Sequence, residues 1–100
     1  MKVCNMTSVN GNSVPNQFII TSCGGNTVTF QSYDSMIATI YFDRGIIEIG
    51  DNWNYSKTTG KYRNIFFKRY IGYQLETAKD VAKALEKGSC GDWIVKRADW

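Results

Sequence analysis

The chain has 100 residues, 43% of them hydrophobic and 21% charged, with a net charge of +3. That places it among single small globular domains and excludes a disordered chain or a pair of domains. It contains no histidine, which excludes Ser-His-Asp and Cys-His nucleophiles and most zinc and iron centres.

Lys2 to Met6 reads as a short strand, followed by an Asn/Ser/Gly loop that ends at Pro15, the single proline. Gln17 to Cys23 and Thr27 to Gln31 read as two strands. Gly24 and Gly25 between them supply the positive φ of a tight hairpin. Val28 and Phe30 alternate with Thr27, Thr29 and Gln31, the pattern of a half-buried strand. Ile37 to Phe42 turns through Asp43-Arg44-Gly45 into Ile46 to Ile49, a second hairpin. Helical spacing then starts at Thr58-Thr59, either of which is expected to cap a helix that runs to Ile71 and stops at Gly72. A second helix starts at Thr77, with Asp80 completing a capping box, and ends at Gly88. Its apolar face is expected to hold Ala78, Val81, Ala82 and Leu85. Asp92 to Lys96 reads as a last strand or an extended segment. Residues 1–100 therefore form one α+β domain. Its expected architecture is an antiparallel sheet of four to five strands, with two C-terminal-half helices packed on one face.

The charge is uneven: residues 1–56 carry −2 and residues 57–100 carry +5. The stretch from Asp51 to Tyr70 alone contains one Trp, three Tyr, two Phe and five Lys or Arg. Cations interleaved with rings suit nucleic acid, since phosphates attract cations and bases stack on rings. The same letters also suit a helix that is aromatic inside and cationic outside. We expect a division by depth: Tyr62, Ile65, Phe66 and Tyr70 inside, and Lys57, Lys61, Arg63 and Lys68 outside, with Arg69 flanking that face. With Trp53 and Tyr55 in the preceding turn, the candidate binding residues are Trp53, Tyr55, Lys57, Lys61, Arg63, Lys68 and Arg69.

No catalytic residue, metal ligand or cofactor site is read from the sequence. Thr58-Thr59-Gly60-Lys61 falls short of a phosphate-binding loop, because Tyr55 stands where that motif needs its first glycine. Cys4, Cys23 and Cys90 are widely spaced and odd in number, which fits free thiols in a reducing compartment. The start of the chain has no apolar run fit for a signal peptide, and no stretch has membrane length. The expectation is a soluble, cytoplasmic protein without membrane contact.

Two segments carry a resemblance. Phe30 to Ile40, with Ser32, Tyr33, Ser35, Ile37 and Ala38, and Trp53 to Tyr62, with Trp53, Tyr55, Ser56, Thr58 and Thr59, follow a SYxSxIA and a WxYSxTT pattern. In these the chain resembles small bacteriophage and prophage proteins. The resemblance implies a phage protein working in the host cytoplasm. It implies a non-enzymatic inhibitor or adaptor that acts by protein–protein contact on a host protein, such as an RNA-guided nuclease or another defence enzyme, in the anti-CRISPR manner. DNA mimicry by an acidic surface does not fit a charge of +3. The alternative is a nucleic-acid-binding module that uses the basic helix 59–71.

Overall fold

The structure is a computed structural model that describes residues 2–8, 10–22 and 24–99. Five strands run in chain order as an antiparallel meander: β1 (Lys2–Thr7), β2 (Ser13–Thr21), β3 (Thr27–Ser32), β4 (Ser35–Tyr41) and β5 (Ile46–Ile49). The expected glycine turn joins β2 to β3, with Gly24 and Gly25 at φ of 87° and 73°. Between β3 and β4 the connection is tighter than the sequence suggests. Tyr33 takes a φ of 54°, uncommon for a residue with a Cβ, and its amide donates to the Asn16 carbonyl. The register of β4 shifts between Phe30 and Gln31, and Ile37, which has no opposite residue there, is fully buried.

Helix α1 (Lys57–Tyr70) follows β5, then a single 3₁₀ turn (Tyr73–Leu75) and helix α2 (Ala78–Lys87). The capping box of α2 is present as expected: Thr77 Oγ1 accepts from the Asp80 amide while Asp80 Oδ2 accepts from the Thr77 amide. Gly88 closes α2 in the left-handed conformation. The buried face of α2 is turned by about one residue from the expected one. Val81 and Ala84 are buried, Leu85 packs beside them, and Ala82 is exposed.

The sheet has seven strands, not four to five, and it is mixed. After α2 come β6 (Ser89–Cys90) and β7 (Trp93–Arg97), in the spatial order β1-β2-β3-β4-β5-β7-β6. β7 lies parallel to β5, Ile47 opposite Val95. Parallel neighbours need a long crossover, and both helices together supply it. The sequence reading stopped at a strand without a partner, because parallel pairing leaves no local signature in a five-residue run.

Register puts Gln17, Ile19, Val28, Phe30, Ala38, Ile40, Ile47, Ile49 and Val95 on one face. Phe66, Phe67, Val81 and Ala84 of the helices join the same buried cluster. The rings of Phe30 and Phe66 stack at 5.6 Å. On the opposite face, Thr29 and Thr39 share a hydroxyl contact of 2.8 Å, while Val3 and Ile94 are more than half exposed. Among the described residues no helix is long and apolar enough to cross a membrane.

Candidate functional site

The turn from Asp51 to Ser56 is pinned to the sheet before α1 begins. Asn52 Nδ2 donates to Ser35 Oγ at 3.1 Å. Ser56, extended at φ −149° and ψ 162°, is the N-cap of α1, its hydroxyl accepting from the Thr59 amide. The expected caps, Thr58 and Thr59, are thus inside the helix. Thr59 is fully buried; its Oγ1 accepts from Ser56 Oγ at 3.1 Å and lies 2.9 Å from Ser32 Oγ. The SYxSxIA and WxYSxTT segments, far apart in the chain, are therefore joined through Ser32–Thr59, with a second link from Ser35 to Asn52 just before the latter. These positions hold the fold together as well as marking it.

Arg63 overturns its expected place outside. It is 1% exposed. Its Nη1 donates to the Trp53 carbonyl at 2.8 Å and to Asn54 Oδ1 at 3.0 Å, while Nε and Nη2 both donate to Asn64 Oδ1. The guanidinium lies 5.2 Å from the Trp53 ring centroid. It also rests on Gly60, where a Cβ would stand 3.6 Å from Nη2. The physical reason is a cluster of acceptors, the Trp53 carbonyl and Asn54 carboxamide on the turn and the Asn64 carboxamide on the helix itself, all within reach of one planar fork. No carboxylate pairs with this cation among the described residues. Burial lowers its pKa.

The remaining candidates divide by position along α1. Trp53 is half-buried, Tyr55 is half exposed, and Lys57 and Lys61 are exposed. Neither lysine has an ion-pair partner among the described residues; Lys61 Nζ stands 5.4 Å from the Tyr62 ring centroid. Lys68 and Arg69 lie at the far end of a 14-residue helix, about 20 Å long. Lys68 pairs with Glu76 at 3.6 Å, and Arg69 reaches the Thr7 carbonyl at 3.5 Å on the edge strand β1. The structure thus gathers Trp53, Tyr55, Lys57, Lys61 and Arg63 at one end and separates Lys68 and Arg69 from them.

At the gathered end lies an open depression of about 450 Å³, lined by Asn54, Ser56, Lys57, Gly60, Lys61, Arg63, Asn64 and Ala78. None of these carries a carboxylate. Asn54 and Asn64 were missed by the sequence reading. The available signal was position: each flanks a residue whose role was already suspected. Gln17 was missed as well. Buried under the same end beside Ser32, its carboxamide has no protein partner at either atom.

Cys4 is a free, exposed thiol and Cys90 a free, buried one. Burial pushes the Cys90 thiol pKa up, Asp80 adds to the shift and Lys87 opposes it. Cys23 and Trp100 lie outside the described residues.

No curated protein and no solved structure matches the chain. One family model matches residues 1–85, from β1 into the last turns of α2. On that match, which covers most of the domain including the candidate site, the chain belongs to a family of unknown function, DUF8033.

Proposed function

We propose that this protein is a non-enzymatic binding module of phage type that acts by protein–protein contact in the host cytoplasm. Its target is a host protein such as an RNA-guided nuclease or another defence enzyme, which it inhibits in the anti-CRISPR manner. The observation that carries the binding role is the compact patch at the start of α1. A half-exposed Tyr55, on a turn fixed by Arg63, Ser35 and Ser56, stands beside two lysines at the start of α1 that have no ion-pair partner among the described residues. Tyrosine is among the residues that dominate interface hot spots, and rim cations steer the approach of a partner. The phage setting comes from the SYxSxIA and WxYSxTT resemblance. Capture from lysate of the phage's host tests the reading, with the native chain and a Tyr55→Ala, Lys57→Glu, Lys61→Glu triple variant side by side. The expected result is a defence nuclease retained by the native chain, inhibited in a cleavage assay, and lost by the folded variant. Retention of abundant proteins alone, equally by both chains, would overturn it.

The second reading is a nucleic-acid module on helix 59–71. The ring-and-lysine patch favours it, but the cationic face it needs is broken: Arg63 is inside and Lys68 is paired. Oligonucleotide anisotropy at two salt concentrations discriminates, because phosphate contacts must weaken as salt rises.

A further inference from the structure

We propose that β1 is a docking edge for an extended segment of a partner protein in which acidic and apolar residues alternate. The sheet ends at β1 on one side and at β6 on the other, and β6 has two residues where β1 has six. β1 pairs only with β2, so alternate residues turn their N–H and C=O groups outward, a template for one more strand. A register shift between Asn5 and Thr7 ends this run, leaving Lys2 to Asn5 open. The two sides of β1 differ in what they offer. On the helix side Lys2 and Cys4 stand opposite Thr21 and Ile19. A groove of about 260 Å³ lies there between β1 and the end of α1, with Lys2, Ile19, Arg69 and Tyr70 in its lining and no carboxylate. Neither Lys2 nor Arg69 has an ion-pair partner among the described residues. Arg69 makes one long contact, 3.5 Å, with the Thr7 carbonyl. On the open side Val3 is 58% exposed, opposite Ile20, and the half-buried Phe18 follows. An added strand continues the pleat, so its side chains fall on the two sides in turn. Those over the groove meet two cations, which acidic residues complement; those on the open side meet Val3, Ile20 and Phe18, which apolar residues cover. A second copy fits worse. Antiparallel β1 against β1, centred on Cys4, sets Lys2 of each chain at the Thr7 end of the other, where Arg69 stands, and like charges meet.

This edge lies away from Tyr55, Lys57 and Lys61, so its failure and the failure of the reading above are separate results. The test is ¹H–¹⁵N NMR titration of the folded chain with a synthetic peptide of alternating Glu and Val, about seven residues long, an ordinary strand length. A peptide of the same composition with its Glu and Val in two blocks, and an alternating Lys and Val peptide, are the controls. Saturable shifts and slowed amide exchange over residues 2 to 5, with a shift at Arg69 Nε, are expected from the alternating Glu peptide, weakening as salt rises. The block peptide should bind more weakly and the Lys peptide least. Lys2→Glu with Arg69→Glu should cut affinity for the Glu peptide by roughly tenfold or more, the worth of a charge-assisted contact, and make the Lys peptide the tighter ligand. If that pair does not fold, Lys2→Glu alone should move both affinities in the same directions. Equal binding of the alternating and block peptides, binding unchanged by charge reversal, shifts away from β1, or no saturable binding would each overturn the proposal. So would concentration-dependent protection of residues 2 to 5 in the chain alone, which would assign the edge to a second copy.

Discussion

The two ends of α1 are built from similar residues and treat them differently. At the C-terminal end Lys68 and Arg69 sit where the helix dipole favours cations, and each has a partner, in Glu76 and the Thr7 carbonyl. At the N-terminal end Lys57 and Lys61 sit near the positive pole beside a buried guanidinium, and none of the three has an ion-pair partner among the described residues. One end obeys the electrostatics of a stable helix; the other works against them. Conflicts of this kind concentrate where a protein binds something.

One change should ignore the difference. Phe66 lies between the ends, stacked on Phe30 and touching Phe67 and Tyr70. Phe66→Ala should cost about 3–5 kcal/mol in chemical denaturation, the usual loss for a core phenyl. A smaller effect would mean that the ends are not held by a common core.

Arg63→Met against Arg69→Met separates them. The first strands the Trp53 carbonyl and two carboxamide oxygens, and should cost about 2–3 kcal/mol with a red shift of Trp emission. The second should stay within about 0.5 kcal/mol, as for most surface changes. Equal costs would remove the contrast. Gln17→Met should raise stability by about 1 kcal/mol, because a carboxamide without a protein partner is replaced by an apolar chain of similar shape. The smallest effects carry the sharpest sign. Lys57→Glu should stabilise and Lys68→Glu destabilise, each by about 0.3–1 kcal/mol at low salt. Thermal melts of the two variants read this directly, and like signs would refute the electrostatic contrast.

The first-half strands, the glycine hairpin and the α2 capping box were legible because each depends on neighbours in sequence. Arg63 was not. Thr59, Arg63, Phe66 and Tyr70 follow a four-three-four spacing that marks one helix face, but the rule that charges stay outside displaced the inward face toward Tyr62 and Ile65. What draws Arg63 in is the Trp53 carbonyl and the Asn54 carboxamide of a turn about ten positions earlier, together with its neighbour Asn64, and periodicity carries no record of them. The sequence reading gave the capping role of Ser56 to Thr58 and Thr59, although serine is the better N-cap residue, and the extended backbone of Ser56 is what separates it from them. β7 was ambiguous for a related reason, since its partner is chosen by the crossover and not by its own letters.

The parallel pairing of β7 with β5 also dictates an order of assembly. Ile46 meets Ile94 about fifty positions later in the chain, so the loop that must close is long and its closure entropy large. The meander β1–β5 needs only local turns and can form while the helices are still being made. Until Trp93–Arg97 docks, β5 presents a bare edge to any neighbouring chain, with isoleucines on both faces of the strand. A chain truncated before Trp93 should therefore self-associate through β5, and Trp93–Arg97 acts as the seal that keeps the molecule apart from its own copies.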